Sequence, residues 1–362
     1  METARRNRVT VIAGDGIGTE VMPVAIECLD SALASVEASP ISWVERDWGS
    51  DHFDRHGRMM PADGLELMLE DRAIFLGAVG RPDIPDTETL WGLLIPIRRE
   101  FGQYVNLRPV RTYPGVPSPV GSTEIDMVIV RENNEGEYSE IGGRLYRGDE
   151  MESAQQTTVF TRRGITRVAA FAAELARSRG RLLTSATKSN GIIHTMPFWD
   201  EVVEETVAGY PDVRLEKILI DALAAKLVAK PESFDVIVAS NLFGDILSDL
   251  AGALAGSIGI APSGNIDPTR EHPSMFEPVH GSAPDIAGKG IANPVGQILS
   301  GVMLLEHLGE QRAADLLTAA VETTLADGVR TADLGGSAST IQFGAAVLAR
   351  ITSPKGATSH VE

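Results

Sequence analysis

Two acidic residues four positions apart are the feature of this sequence with the clearest chemical meaning. Residues 234–250 read FDVIVASNLFGDILSDL, an apolar β-branched run followed by a helical pattern that carries Asp245 and Asp249. Residues four apart share one face of a helix, so the two carboxylates are expected at one spot, where they repel unless a cation lies between them. Mg²⁺ or Mn²⁺ fits that role, because hard divalent ions take oxygen ligands. For an isolated pair, a solvated helix face is the alternative.

Arginines at three positions supply the positive charge that an anionic substrate needs. The string LLIPIRREFGQYVNLRPVR contains Arg98 and Arg108, and MVIVREN ends an apolar run with Arg131. A guanidinium binds a carboxylate in bidentate fashion, so two or three converging arginines would hold a dicarboxylate. We interpret Arg99 and Arg111, on the first string, as surface or structural residues.

Three further ionisable residues follow strand-like runs. Tyr138 comes seven positions after Arg131. Lys188, in TSATKSNG, comes directly after another strand-like run, and Asp221 lies in ILIDALAAK. Tyrosine and lysine transfer protons, and their pKa values near 10 are expected to fall beside cations or in desolvated sites. Each residue alone is a weak indication. Together with the acids and arginines, they predict one charged pocket.

A glycine- and proline-rich segment is the candidate for contact with a nucleotide. It reads EPVHGSAPDIAGKGIANP, and its small residues next to His280, namely Gly281, Ser282 and Ala283, would let a loop wrap closely around a ligand. Asp285 could accept hydrogen bonds from ribose hydroxyls. An ordered loop with a helix cap at Asp285 is the alternative.

A second glycine-rich string, VTVIAGDGIGTEV, lies near the N-terminus. Gly14 and Gly16 fit the dinucleotide pattern GxGxxG, but the third glycine position is occupied by Thr19. We therefore interpret the string as a tight turn from a strand into a helix.

Composition and charge restrict the class of protein. The 362 residues are 43% hydrophobic and 23% charged, which is typical of a globular protein with two lobes or one large α/β unit. No apolar run approaches the roughly 20 residues that span a bilayer, so we expect no membrane partner. The formal charge of −18 argues against a nucleic-acid partner. The single cysteine, Cys28, is expected to pack in a helix, and the start METARRNRVTVIAGDG lacks a signal-peptide pattern, which predicts a cytoplasmic location.

Strand-like and helical patterns alternate along the chain and predict a largely parallel α/β architecture. Residues 135–152 carry several glycines and predict a hairpin-like excursion, and residues 260–294 have almost no periodicity and predict a long irregular segment. The predicted strands are Val9–Ala13, Ala73–Ala78, Met127–Val130, Val159–Thr161, Arg181–Ser185 and Val236–Ser240, and the predicted helices are Ile165–Arg177, Trp199–Ala208, Gly296–Leu308 and Arg312–Leu325.

In combination, these strings resemble the β-decarboxylating dehydrogenases, the family of isopropylmalate, isocitrate, homoisocitrate, tartrate and D-malate dehydrogenases. The resemblance runs from about residue 9 to residue 308, and its most specific pieces are GDGIG, NLRPVR, VRENNEGEY, ATKSN, ASNLFGDILSDL and EPVHGSAPDIAGKGIANP. It implies a two-lobed α/β fold with a central twisted sheet flanked by helices, distinct from the standard Rossmann fold. The strings LWG, QYVNLRPVR, EGEYS, FTRRG and SATKSNG look most similar to the members that act on tartrate and D-malate.

The resemblance also implies a role for each candidate residue. The substrate would be bound by Arg98, Arg108, Arg131 and Leu94. The carboxylates of Asp245, Asp249 and the partner subunit's Asp221 would surround Mg²⁺ or Mn²⁺. The partner subunit's Lys188 would take the proton of the C2 hydroxyl group as hydride leaves, and Tyr138 would protonate the enolate.

For the cofactor, the resemblance implies NAD. Residues His280, Gly281, Ser282, Ala283 and Asp285 would hold its adenosine end, and Asn293 would reach the adenine. A carboxylate at Asp285 bonds the ribose hydroxyls and repels a 2′-phosphate, which favours NAD over NADP. K⁺ is a possible additional cofactor.

The implied reaction is the oxidation and decarboxylation of a 2-hydroxy dicarboxylic acid, D-malate or tartrate. Oxidation places a ketone β to a carboxylate, and a metal on that ketone stabilises the enolate left by CO₂ loss. In the string LWGLLIPIRR, Leu93 and Pro96 replace a serine and a lysine of the tartrate and D-malate enzymes, which predicts a more apolar pocket. LLIPIR is nearer to isopropylmalate dehydrogenase, the alternative function, and a non-catalytic regulatory subunit is a third hypothesis.

Finally, the resemblance implies how the chain divides and assembles. Residues 1–103 and 256–362 would form a discontinuous cofactor-binding domain. Residues 104–255 would form the substrate, metal and dimerisation domain, with an intersubunit arm near 135–152. A homodimer with shared active sites is expected.

Overall fold

The computed structural model describes residues 7–121 and 123–352. Its β-strands are β1 Arg8–Gly14, β2 Ser42–Glu45, β3 Ala73–Ala78, β4 Val105–Arg111, β5 Asp126–Glu132, β6 Gly142–Leu145, β7 Ser153–Gln156, β8 Leu182–Thr187, β9 Arg214–Leu219, β10 Val236–Ala239, β11 Pro262–Ile266 and β12 Ser274–Pro278.

The α-helices are α1 Gly18–Ser35, α2 Ser50–His56, α3 Gly64–Met68, α4 Asp86–Thr89, α5 Ile95–Glu100, α6 Arg162–Ser178, α7 Thr195–Val207, α8 Ile220–Ala229, α9 Asn241–Ala255, α10 Val295–Leu308, α11 Gln311–Ala326 and α12 Thr340–Thr352. A π-helical turn, Leu90–Leu94, joins α4 to α5. Within the described ranges, no helix combines the length and the apolar character that crossing a bilayer requires.

Ten strands form one mixed sheet in the order β2-β1-β3-β12-β11-β4-β5-β10-β8-β9. The four strands at each end are parallel to one another, whereas β11 and β4 in the middle run antiparallel to their neighbours. Runs such as VIVA in β10 are fully buried, because helices cover both faces of the parallel parts. The predicted α/β architecture, a central sheet flanked by helices, is therefore confirmed.

Helices cover the sheet through two large hydrophobic clusters. One includes Trp199 of α7 and Leu247 of α9 against β5, β8 and β10. The other includes Cys28 of α1, fully buried as predicted, with α10, α11 and α12. Leu107 and Ile266, on the two antiparallel middle strands, contact both clusters. The predicted division into 1–103 with 256–362 and 104–255 remains a prediction.

Two secondary-structure predictions are wrong. Val159–Thr161 is not a strand: Val159 forms an isolated bridge with Gly136, and the Thr161 side chain caps α6 by accepting a hydrogen bond from the backbone of Gly164. The segment 260–294 is not irregular throughout, because it contains β11 and β12. Neither strand shows an alternating hydrophobic pattern, because both are buried in the middle of the sheet. There, packing against the neighbouring strands stabilises the extended conformation.

The predicted excursion after residue 135 is a β-hairpin. Strands β6 and β7 pair in antiparallel register, from Gly142 opposite Gln156 to Leu145 opposite Ser153. Its apolar side chains are largely exposed, including Leu145, Tyr146 and Met151, which are 59 to 70% accessible. An exposed apolar hairpin of this kind suits a contact with another chain.

Candidate active site

A cavity of about 180 Å³ lies where α5, β4, β5 and α9 meet. Its walls contain six residues predicted from the sequence: Leu94, Arg98, Arg108, Arg131, Tyr138 and Asp245. The lining is completed by Leu90, Ile95, Arg99, Asn133, Asn134 and Asn241. The tertiary structure thus gathers predicted residues that are spread from position 94 to position 245 of the sequence.

The two helical carboxylates both lie near the guanidinium group of Arg108, whereas the metal predicted from their spacing remains a prediction. Nη1 of Arg108 lies 3.1 Å from Oδ1 of Asp245 and 3.5 Å from Oδ1 of Asp249. Burial opposes ionisation of Asp245, but Arg131 and Arg108 outweigh it and hold the pKa of this carboxyl below its usual value. Burial raises the pKa of Asp249, and the charge of Asp245 adds to that effect. Arg108 thus lies close to both carboxylates, and Asp245 is the more strongly stabilised of the two in its ionised form.

Arg131 is the most enclosed of the three arginines. It forms an ion pair with Asp245, and Oδ1 of Asn241 accepts hydrogen bonds from its Nε and Nη2 at 2.9 and 2.7 Å. A Cβ atom at Gly244 would lie 2.6 Å from the Cβ of Arg131, so the glycine permits this close approach of α9 to β5. Burial and the charge of Arg108 lower the pKa of Arg131 to about 10, which leaves it charged at neutral pH.

Tyr138 donates a hydrogen bond from its hydroxyl group to Oδ2 of Asp245 at 2.9 Å. Its ring lies 5.4 Å from the guanidinium carbon of Arg131. The lowered pKa expected beside cations is not found: burial raises the pKa of Tyr138, Asp245 raises it further, and the arginines offset only part of that. The phenol consequently keeps its proton at neutral pH and is suited to donate it.

Arg99, interpreted from the sequence as a surface or structural residue, lines the cavity and holds the segment that carries Tyr138. Its Nη2 donates to the backbone carbonyl of Tyr138 at 2.8 Å, and its Nη1 pairs with Glu140 at 2.8 Å. The guanidinium also stacks over Trp91, 4.9 Å from the ring centre. In the sequence, the only indication of this role is that Arg99 directly follows Arg98 in the string IRRE.

Part of the cavity lining is apolar. Leu90 and Leu94, at the two ends of the π-helical turn, line the cavity, and a π-helical turn is frequent at functional sites. Leu93, expected to make the pocket more apolar, instead lies fully buried in a hydrophobic cluster with Trp48 and Met59. The wider helical turn directs Leu94 and not Leu93 into the cavity.

Lys188 and Asp221 do not line this cavity. Lys188 follows β8 and Asp221 lies in the first turn of α8, and their side chains form an ion pair at 2.9 Å. The hydrogen bond from Lys188 lowers the pKa of Asp221. Among the described residues no group of three acidic, histidine or cysteine side chains is close enough to hold a metal. One chain therefore brings together Asp245 and Asp249 but not the third predicted ligand.

The predicted cofactor loop rests on the GDGIG turn. The backbone N–H group of Ile17 donates to the carbonyl of Ser282 at 2.9 Å, and a Cβ atom at Gly16 would lie 2.1 Å from that carbonyl. Gly14 and Gly16 have positive φ angles, as a tight turn requires. Asp15 of this turn accepts hydrogen bonds from the backbone N–H groups of Ser50 and Gly80, both at 2.8 Å. The GDGIG string therefore forms the predicted turn, and this turn supports the predicted cofactor loop.

The loop itself presents both anchored and exposed groups. Gly281 and Asp285 are exposed, whereas Ser282 is buried and Ala283 adopts a positive φ angle of 40°. Burial lowers the pKa of His280, whose Nε2 atom is buried without a hydrogen-bond partner among the described residues. The imidazole of His280 thus leaves one nitrogen buried and unpartnered within the described residues, beside the exposed Gly281.

Asn293 ends the loop in a fixed orientation. Its Nδ2 donates to Asp333 at 2.9 Å, and its Oδ1 accepts from the backbone N–H group of Val295 at 3.0 Å. Asp333 also accepts from Ser257 at 2.7 Å. Asp333 lies in a distant part of the sequence without a recognisable pattern, so sequence reasoning missed it.

Glu132, directly after Arg131, gives the folded protein a specific pH dependence. It is fully buried and accepts backbone hydrogen bonds from Asn134 at 3.0 Å and Glu135 at 2.8 Å. Burial raises its pKa from 4.5 to about 7. Because the folded state binds this proton more tightly than the unfolded chain, the stability that it contributes is complete below pH 4.5 and is lost as pH rises through 7.

We expect the Glu132→Gln variant, whose side chain cannot ionise, to show no such loss of stability as the pH rises. The free energy of unfolding of the variant minus that of the wild type is expected to increase by about 3 kcal/mol between pH 4.5 and pH 8. Urea unfolding at several pH values measures this difference. Glu100→Gln, at the exposed end of α5, is the control and should give a constant difference. A constant difference for Glu132→Gln as well would show that the buried carboxyl does not titrate as described.

Comparison with known proteins identifies the family of the chain. A model of the isocitrate/isopropylmalate dehydrogenase family matches residues 8–347. The chain is 52% identical over 351 residues to the decarboxylating D-malate dehydrogenase of Escherichia coli, covering 94% of this chain and 97% of that protein. It is 51% identical over 352 residues to the tartrate dehydrogenase/decarboxylase of Pseudomonas putida, covering 94% and 96%.

Two solved structures have a similar fold. The isocitrate dehydrogenase of Methylococcus capsulatus matches with a TM-score of 0.86 and 32% identity, covering 96% of this chain and all of that one. The TT0538 protein of Thermus thermophilus matches with a TM-score of 0.86 and 35% identity, covering 96% of this chain and 68% of that one. The predicted fold and the predicted class of enzyme, a decarboxylating hydroxy-acid dehydrogenase, are confirmed. The chain belongs to the isocitrate/isopropylmalate dehydrogenase family.

Proposed function

We propose that this protein oxidises and decarboxylates a four-carbon 2-hydroxy dicarboxylic acid, D-malate or tartrate, with NAD as the oxidant. The observation that carries the proposal is the convergence of Arg98, Arg108 and Arg131 on one small cavity that also holds Tyr138 and Asp245. Three guanidinium groups provide bidentate partners for two carboxylates despite the charge of −18. The names of the relatives that are about 50% identical also support these substrates over isopropylmalate.

The apolar wall of the cavity is the observation that favours isopropylmalate as a second candidate. Leu90 and Leu94 could contact a branched alkyl group, which neither D-malate nor tartrate carries. These two leucines are therefore the feature of the cavity that distinguishes the second candidate from the first.

Two residues of the chain fit a divalent metal. Asp245 and Asp249 present carboxylate oxygens from one helix face, the donor type that Mg²⁺ and Mn²⁺ prefer. The partner subunit's Asp221 would complete the set. When bound, the metal supplies Lewis-acid polarisation of the C2 oxygen and of the ketone derived from it.

Two proton-transfer roles follow from the positions of the ionisable groups. Tyr138, protonated at neutral pH and hydrogen-bonded to Asp245, would donate its proton to the carbon that loses CO₂. Lys188 of the partner subunit would accept the proton of the C2 hydroxyl group. The arginines meanwhile hold both carboxylates, so that the hydroxyl carbon faces the cofactor.

The loop 280–293 fits the adenosine end of NAD. Exposed glycines allow close backbone approach, and Asp285 is exposed at the position where a carboxylate would bond ribose hydroxyls. Bound NAD supplies hydride acceptance. Preference for NAD over NADP rests on the charge of Asp285, which would repel a 2′-phosphate.

A homodimer is supported by apolar side chains next to the site. Leu242 and Ile246 lie on the outer face of α9, and Ile246 is 55% exposed although Asp245 next to it points into the cavity. Val228 of α8, a helix that contacts α9, is 50% exposed. Covering the face with a second copy would bring its Lys188 and Asp221 towards the incomplete site. A stimulatory K⁺ ion and a cytoplasmic location also remain proposals.

The test is NADH formation at 340 nm with D-malate, L-tartrate, meso-tartrate, 3-isopropylmalate and isocitrate, each with Mn²⁺ and with or without K⁺. We expect D-malate or a tartrate to give the highest kcat/KM, and NADP to replace NAD poorly. A large preference for isopropylmalate would establish the second candidate instead. Binding of NAD without turnover of any of these acids would refute the proposal in favour of a regulatory subunit.

A further inference from the structure

A row of buried polar side chains crosses the middle of the sheet beneath the cavity. Asn106 of β4 lies between two partners in register, Arg131 of β5 on one side and Asn265 of β11 on the other. Asn106 and Asn265 are both completely inaccessible to solvent. Glu277 of β12, opposite Ser263 in register and therefore diagonal to Asn265, is 8% exposed. Buried polar groups need hydrogen-bond partners, so the groups that bind these side chains indicate the role of the row.

Hydrogen bonds join the row into a continuous chain between two arginines of the site. Nε of Arg108 donates to Oδ1 of Asn106 at 2.6 Å, and Nδ2 of Asn106 donates to Oδ1 of Asn265 at 2.8 Å. Nδ2 of Asn265 donates to Oε1 of Glu277 at 2.7 Å. The same Oε1 accepts from Nη2 of Arg98 at 2.7 Å. Arg98 and Arg108 are therefore linked through three intervening side chains.

The direction of every hydrogen bond in this chain is fixed. An arginine only donates, so Asn106 must turn its oxygen towards Arg108 and its NH₂ group towards Asn265. Asn265 must then accept with its oxygen, which leaves its NH₂ group for Glu277. Nδ2 of Asn133 donates to the same Oδ1 of Asn265 at 2.9 Å, which reinforces that orientation. Reversing either amide would place two donors or two acceptors against each other.

We propose that Asn265 is a positioning residue that fixes the relative placement of Arg98 and Arg108, and hence the spacing of the two substrate carboxylates that they bind. Asn265 itself does not line the cavity. Its two amide atoms hold Asn106 on one side and Glu277 on the other, and each of these holds one arginine. The role rests on the proposed function, because it assumes that the ligand is a dicarboxylate held by these arginines.

The test is a double-mutant cycle with Asn265→Ser and Asn106→Ser, two substitutions that add no charge and interrupt adjacent links. We expect each single variant to raise KM for the hydroxy acid at least about tenfold with a smaller change in kcat, because the arginines bind ground state and transition state alike. The double variant is expected to be no worse than the more impaired single variant, since one broken link already frees the chain. The dissociation constant of D-malate without NAD, measured by calorimetry, should rise in parallel.

Ser263→Ala is the matched control. Ser263 lies on β11 together with Asn265, and its substitution removes a hydrogen bond that Asn106 donates at 3.1 Å without interrupting the chain. Its KM should stay within about twofold of the wild type, since the arginines keep their partners. Lower melting temperatures with unchanged KM in both asparagine variants would overturn the proposal, as would strictly additive effects in the cycle. A wild type that turns over none of the tested acids would refute the proposed function instead, and the D-malate dissociation constants would still decide the role of Asn265.

Discussion

Replacing Asp245 with asparagine is expected to lower kcat/KM roughly a thousandfold, the range found when a preorganised electrostatic group is removed from an active site. Asp245 contacts Arg108 at 3.1 Å and Tyr138 at 2.9 Å, and it forms an ion pair with Arg131. Asparagine keeps the shape but removes the charge. The substitution therefore affects the proposed metal site, the arginines and the proposed proton donor at once.

The affinity of Asp245→Asn for Mn²⁺ is expected to fall together with kcat/KM. This loss of affinity would distinguish a metal ligand from a residue that only orients the substrate. Free Mn²⁺ can be counted by electron paramagnetic resonance without any turnover, and circular dichroism should show an unchanged fold. Asp315→Asn, at an exposed position of α11, is the control with the same change of side chain. Undiminished Mn²⁺ binding in Asp245→Asn would remove Asp245 from the metal site.

Mixing two inactive variants is expected to restore activity if the site is shared between subunits. In Lys188→Ala the tyrosine is intact, and in Tyr138→Phe the lysine is intact. A heterodimer of the two would contain one complete site and one doubly impaired site. Random mixing makes half of the dimers heterodimers, so about a quarter of the wild-type specific activity should return. The measurement is NADH formation after co-expression with two affinity tags.

A second mixture provides the matched control. Tyr138→Phe and Asp245→Asn change two residues that lie 2.9 Å apart within one chain, so each heterodimer would carry damage in both of its sites. That mixture should stay inactive. If Lys188→Ala and Tyr138→Phe also failed to complement, Lys188 would have to act within its own chain, although there it pairs with Asp221 away from the cavity.

Local spacing made parts of this site predictable. The interval from Asp245 to Asp249 is about one helical turn, so the shared direction of both carboxylates follows from the backbone alone, and the end of an apolar run located Arg131. The segment 260–294 shows where such reasoning fails. Its strands β11 and β12 contain proline and glycine without alternation, and they are strands because the middle of the sheet buries them.

The pKa of Tyr138 and the role of Arg99 were similarly out of reach. The sequence places Tyr138 near arginines, but burial and Asp245 dominate its pKa, and neither depends on a neighbour in the sequence. Arg99 holds the backbone of Tyr138 across a gap of 39 residues. The first effect depends on the approach of α9 to Tyr138, and the second depends on the approach of α5 to the same segment.

The sequence by itself determined the inventory of this protein: the paired acids, the arginines, the tyrosine and lysine, the glycine-rich loop, and through them the family. These are properties of residue type and of spacing within one element, which backbone geometry converts directly into chemistry. Only the tertiary structure decided which arginine lies between the acids, which leucine faces the cavity, and that Asn106 and Asn265 connect Arg98 to Arg108. Those relations depend on the register of strands distant in sequence, and register is fixed by packing of the whole sheet.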